Sequence, residues 1–141
     1  MAMKGRAQMF QGVDHVVIAV SDLEAGIKQY EAILGMPVSR RGQATGFNNA
    51  HFDLPDQTML ELVSPTDETG PVARKIQNSG QGVHLVAVRV DDLDATVARL
   101  RKDGVRLIGD PGEGNPVKGQ VFVHPAHAGG VLMQIVARSA H

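Results

Sequence analysis

Residues 12–25, GVDHVVIAVSDLEA, return seventy positions later as residues 82–95, GVHLVAVRVDDLDA. A repeat of this kind is read before any single motif, because each copy must build the same unit. Gly12, Val13, Asp22, Leu23 and Ala25 recur as Gly82, Val83, Asp92, Leu93 and Ala95, and Glu24 is answered by Asp94. The same offset carries Phe52 to Phe122 and Pro55 to Pro125. Beyond the prolines the second copy holds three extra residues, so Leu60 to Val63 align with Met133 to Val136 at an offset of 73.

Each copy opens on a β-prone run, VVIAV or LVAVRV, and then meets an acidic cap of the kind that starts helices. Ser21 stands three residues before Glu24, which is the capping-box spacing and places the first helix start there. Leu23, Ile27, Tyr30 and Leu34 follow at helical intervals, as do Leu93, Val97 and Leu100 in the second copy. Gly35 and Gly104 stop the two helices. Three β-prone stretches then follow in each copy, at about residues 36–42, 47–54 and 58–64 and about 105–109, 119–124 and 131–137. Each unit therefore reads βαβββ, and the chain reads as one α+β domain over residues 1–141. Module one spans about 12–64 and module two about 81–137; the connection at about 65–80 holds a short helix from Val72 to Gln77. The ends, before about Gln11 and after about Ala137, read as frayed.

A chain of 141 residues with 43% hydrophobic and 21% charged content is long enough to bury a core without staples. It contains no cysteine, so disulfides, thiolate nucleophiles and thiolate metal sites are excluded. Metal ligands must come from His, Asp, Glu or amides. A formal net charge of -1 gives no field that would gather a polyanion, so nucleic acid is not an expected partner. The opening MAMKGRAQMFQ has no apolar segment of signal or anchor type, and no apolar run approaches the ~20 residues that span a bilayer. The expected location is the cytoplasm.

Alternation puts Val13, His15, Val17 and Ala19 on one face of the first strand and Val16, Ile18 and Val20 on the other, helix-packing face. His15 thus points away from the helix. Glu61, flanked by Met59, Leu60, Leu62 and Val63, is a carboxylate costly to bury without a partner. In the second copy the ungapped repeat pairs His15 with Leu85 and Asp14 with His84. His84 then shares the helix-packing face with Val86, Val88 and Val90, unless a bulge near Gly82 turns it.

The two units with openings HVVIAV-SDLEA and HLVAVRV-DDLDA resemble the vicinal oxygen chelate superfamily, the glyoxalase, bleomycin resistance and dioxygenase proteins, over about residues 12–137. GVHLVAVRVDDLDA, DGVRLIGDPGEG and VHPAHAGGVLMQIV are most similar to the methylmalonyl-CoA epimerases. The resemblance implies the glyoxalase fold, two modules forming a cupped mixed sheet, with four ligand positions for one divalent metal. His15 matches the first position and Glu61 the second. At the third the epimerases commonly have two adjacent His, the second being the ligand; here the pair reads His84, Leu85. Gln134 stands at the fourth, where the family supplies a glutamate that binds metal and exchanges a proton; an amide can ligate but cannot act as a base. The family's other acidic group falls on Asn48, Asn49, Ala50, with His51 and Asp53 near enough to substitute.

These residues define the expected site: Glu61 and His51 for proton transfer; His15, Glu61 and Gln134 for a metal, with His84 only if its strand is bulged; Leu85, Arg89 and Asn49 lining the substrate pocket. One divalent ion (zinc, cobalt, nickel or manganese) is expected to bind weakly or not at all. The activity implied is that of an isomerase or lyase acting on a small acyl or α-carbonyl compound through an enolate-like intermediate. The alternative is a metal-free binding or resistance protein of the same fold. An extradiol-type dioxygenase would need the second His and a terminal Glu that this chain lacks. His124 and His127, flanking Pro125, read as loop residues, and Gly129-Gly130 as a turn. The expected partners are a small-molecule substrate and a second copy of the chain, since this fold exposes sheet edges.

Overall fold

A computed structural model describes residues 9–137. Along these residues the order is β1 (Phe10–Ala19), α1 (Leu23–Leu34), β2 (Arg40–Ala44), β3 (Phe47–Asp53), β4 (Met59–Pro65), α2 (Pro71–Ser79), β5 (Gly82–Val90), α3 (Leu93–Lys102), β6 (Leu107–Ile108), β7 (Gln120–Val123) and β8 (Met133–Ala137). A 3-10 turn, Pro125–His127, lies between β7 and β8. This is the βαβββ order twice over, with α2 joining the copies. The chain beyond these residues, including the opening segment and the expected frayed ends, lies outside the described residues. Among them no helix is long and apolar enough to cross a membrane.

The chain divides into two compact units, His15–His84 and the combination of the residues up to Asp14 with those from Leu85 onward. In the first unit β1 pairs parallel with β4, which pairs antiparallel with β3, which pairs antiparallel with β2. One face of this mixed sheet packs on α1: Ala50, Phe52 and Leu62 are fully buried with Val20 and Ile27, and Ile18, Leu23, Tyr30, Leu34 and Leu60 complete the cluster. Burying a side chain the size of Phe52 or Leu62 contributes roughly 2 kcal/mol. The helical spacing of Leu23, Ile27, Tyr30 and Leu34 is thereby accounted for.

The second unit repeats the plan. β5 pairs parallel with β8, β8 antiparallel with β7 and β7 antiparallel with β6. Val90, Val121, Val123 and Ile135 pack with Leu93, Val97 and Leu100 of α3.

Both long helices are capped by aspartate. Asp22 accepts from Ala25 N at 3.2 Å and Asp92 from Ala95 N at 3.0 Å. The first helix thus begins one residue later than Ser21, whose own N–H is bound by the Gln81 side-chain carbonyl at 2.8 Å. Gly35 ends α1 in the left-handed conformation at φ 65°.

Candidate functional site

Glu61 lies at the centre of the first unit's polar face. Its neighbours Leu60 and Leu62 point to α1, so the period of two turns Glu61 to the other side of the sheet. The registers set beside it His51 (opposite Glu61) and Asn49 (opposite Val63) on β3, and Val17 (opposite Glu61) and His15 (opposite Met59) on β1. Arg40 and Gly42 of β2 lie opposite His51 and Asn49.

The side chains meet. Asn49 Nδ2 donates to Glu61 Oε2 at 3.2 Å and lies 3.3 Å from His51 Nε2. His51 Nε2 is 3.6 Å and His15 Nε2 3.9 Å from the Glu61 carboxylate, whose side chain is 13% exposed. Burial alone would raise the Glu61 pKa, but the N–H groups of His51 and Asn49 and the charges that His51 and His15 can carry outweigh it and hold the carboxyl below its ordinary value. His51 Nδ1 is buried without a hydrogen-bond partner. A proton on that nitrogen would have no acceptor, whereas an N–H on Nε2 points toward Glu61. Asp53, the other suggested substitute acid, is instead bound by Arg40 at 2.8 Å. A cavity of about 640 Å³ opens beside the start of α1, lined among others by Ser21, Arg41, Gly42, Asn49 and Ser64.

His84 is half-buried, and its charged neighbours are Lys75 of α2 and Glu61; burial first and Lys75 second hold its pKa below the ordinary imidazole value, against the pull of Glu61. Its strand begins at Gly82, with φ 147°, and the matching Gly12 of β1 has φ 144°. Both values are open to glycine and strained for other residues.

In the second unit the registers place Ala87 and Phe122 opposite Gln134, and Gln120 opposite Val136. Gln120 and Phe122 therefore take the places that Asn49 and His51 take in the first unit, an offset of 71 rather than the 70 suggested by Phe52 and Phe122. Phe52 faces its helix and Phe122 does not; in the second unit Val121 and Val123 do. The contact recurs with its direction reversed: Gln134 Nε2 donates to Gln120 Oε1, whereas Asn49, the counterpart of Gln120, donates to Glu61. Leu85 is 8% exposed and puts hydrocarbon where the first copy has imidazole. Arg89 donates to Val13 O at 2.8 Å and lies 4.0 Å from Asp14, so its guanidinium is held by its own unit. His124 and His127 accept through Nδ1 from Ala126 N and Arg106 N, both at 3.0 Å, and so tie down the loop. Lys75 and Gln120 carried no motif; only the cross-strand register and the folding of α2 expose their roles.

A metal cage of the kind the superfamily implies does not fit this donor set. His15 and Glu61 supply one donor side chain each and Gln134 only a neutral amide oxygen, its Nε2 being given to Gln120, while Leu85 supplies none, so the four-ligand cage is one donor short and lacks the charge of the family's glutamate. Among the described residues no group of three or more His, Asp or Glu side chains is arranged to hold a metal ion.

The fold and these strand positions carry a family signature. Residues 14–122 match the Glyoxalase/Bleomycin resistance protein/Dioxygenase superfamily, and the chain belongs to it. Within that superfamily it is methylmalonyl-CoA epimerase-like. It is 33% identical over 132 residues to the ethylmalonyl-CoA/methylmalonyl-CoA epimerase of Cereibacter sphaeroides, covering 90% of this chain and 98% of that one. The crystal structure of methylmalonyl-CoA epimerase from Mycobacterium tuberculosis superposes with a TM-score of 0.83 at 34% identity, over 99% of this chain and 94% of that one. The Streptomyces coelicolor methylmalonyl-CoA epimerase in complex with 2-nitronate-propionyl-CoA gives 0.78 at 32%, over 93% and 99%.

Proposed function

We propose that the protein is an isomerase that moves the proton on the α-carbon of a small acyl-CoA, with Glu61 as the base. The observation that carries this reading is the Glu61 carboxylate, nearly enclosed and kept ionised by Asn49, His51 and His15 on the face of the sheet opposite α1. A base must be deprotonated before it can accept a proton, and this environment ensures that at neutral pH. The similarity to epimerases of acyl-CoA esters supplies the substrate class. Glu61 takes the α-proton, and the C–H electron pair passes into an enolate of the thioester. A proton from water delivered to the opposite face, while Glu61 passes the one it took to solvent, gives the epimer. His51, 3.6 Å from Glu61, is the second group able to hold a proton there.

Divalent metal binding is weak or absent in this reading, for the donor set described above. The amide at position 134 and the stretch Asn48-Asn49-Ala50, where the resemblance implies acids, predict turnover well below that of the family. The same changes favour a second reading, a metal-free protein that binds the acyl-CoA without converting it. Both readings place the protein in the cytoplasm as a homodimer. Proton NMR of methylmalonyl-CoA in D2O decides between them: loss of the α-hydrogen signal with the natural protein and not with Glu61→Gln supports the isomerase. Calorimetric binding without exchange would leave the binder.

A further inference from the structure

Gly42 sits in the middle of β2, opposite Asn49, at a place where a glycine weakens a strand. Its φ lies outside the region that favours glycine, so the backbone does not ask for one. The reason is across the strand. A Cβ at position 42 would lie 2.9 Å from Asn49 Oδ1 and 3.9 Å from its Cγ, and nothing else comes within 4 Å. The first distance is shorter than side chains tolerate, and the atom it meets is movable. A larger residue here would therefore push the Asn49 amide aside rather than unfold the strand. The other end of that amide holds Glu61 Oε2 at 3.2 Å.

We infer that Gly42 is a positioning residue: by carrying no side chain it lets the Asn49 amide lie flat across β2 and present its N–H to Glu61. This rests on the reading of Glu61 as the reactive group only where activity is measured. The inference makes a demand that a merely structural glycine does not. Alanine at position 42 should harm the protein when Asn49 is present and help it when Asn49 is truncated, because alanine is otherwise the better strand residue.

The test compares the natural protein with Gly42→Ala, Asn49→Ala and the double variant. Thermal unfolding is expected to show a lower midpoint for Gly42→Ala in the natural background and a higher one in the Asn49→Ala background. The side-chain amide resonances of Asn49, assigned by their loss in Asn49→Ala, are expected to move in Gly42→Ala. Exchange of the α-hydrogen of methylmalonyl-CoA is expected to lose about tenfold in kcat in both single variants, with KM within about twofold and no further loss in the double variant. A thermal effect of one sign in both backgrounds, or Asn49 resonances that stay in place in Gly42→Ala, would overturn the inference. If the natural protein shows no exchange, the functional reading fails, and the thermal and resonance results still decide the role of Gly42.

Discussion

Glu61 and His15 could be placed on one face of their sheet by counting in twos, and His51 came within reach the same way. Alternation does not say which residue of the next strand stands opposite. The hydrogen bond from Asn49 to Glu61 depends on that cross-strand register, and the pairing of Gln134 with Gln120 depends on it too. His84 shows a further limit. Its neighbours were not readable, because Lys75 arrives from a helix whose packing no local pattern encodes. At this scale the decisive substitution is Glu61→Gln, which keeps the volume and removes the base. Proton exchange at the substrate α-carbon should fall about 10²- to 10⁴-fold with the circular dichroism spectrum unchanged. An effect under threefold would move the proton transfer to another group.

Helices were more legible than strands, since caps and a 3.6-residue period are local signals. Asp92→Ala, which removes the side chain receiving Ala95 N, should cost about 1 kcal/mol in urea unfolding. The misjudged edges have nameable causes. The stretch 36–39 was expected to be strand, but the Val38 N–H is taken by the Glu31 carboxylate at 2.9 Å, so β2 starts only at Arg40. β6 shrinks to Leu107–Ile108 because Val105 N is spent on Leu100 O of α3 and Arg106 N on His127 Nδ1. The loop after β6 is tied to α3 by the two-pronged contact of Arg101 with Asp110, whose Nε–Oδ2 distance is 2.7 Å. Hydrogen bonds from Arg101 hold the Asp110 pKa at about 2. A pKa lowered by folding adds stability that is present above the unfolded value of 3.8 and disappears as pH falls through about 2. Asp110→Asn should therefore lower stability at pH 7, by no more than about 1 kcal/mol for a half-buried surface ion pair that solvent still screens. The difference should vanish near pH 2, measured by urea midpoints across that range.

At the scale of the whole chain the repeat was visible in its strand-helix openings and blurred in its later strands, where short β stretches tolerate a one-residue error that only pairing corrects. The two copies have parted in chemistry. The first keeps imidazole and carboxylate at the positions where the second has Leu85 and Gln134. Restoring the family residues with Leu85→His and Gln134→Glu should raise zinc, cobalt or nickel affinity at least 10- to 100-fold by calorimetric titration, with His84→Ala as a control that leaves it nearly unchanged. Tight binding in the natural protein that is lost in His84→Ala would assign the ligand to position 84. Light scattering at micromolar concentration should give twice the chain mass, and a monomer would reject the dimer.

The boundaries between the compact units fall between Asp14 and His15 and between His84 and Leu85, one repeat length apart and inside β1 and β5. The unit containing α3 therefore claims the start of β1: Met9 O receives the Asp91 N–H, Gln11 bonds Asp91, and Arg89 bonds Val13 O. A chain severed in the loop before α2 would leave this early segment covalently on one fragment and its packing partners on the other. Neither fragment would hold a whole folding unit, and each should be unstructured by itself. Mixed, they should reassemble by strand exchange, which makes the protein a candidate for a split reporter whose halves regain order only on meeting.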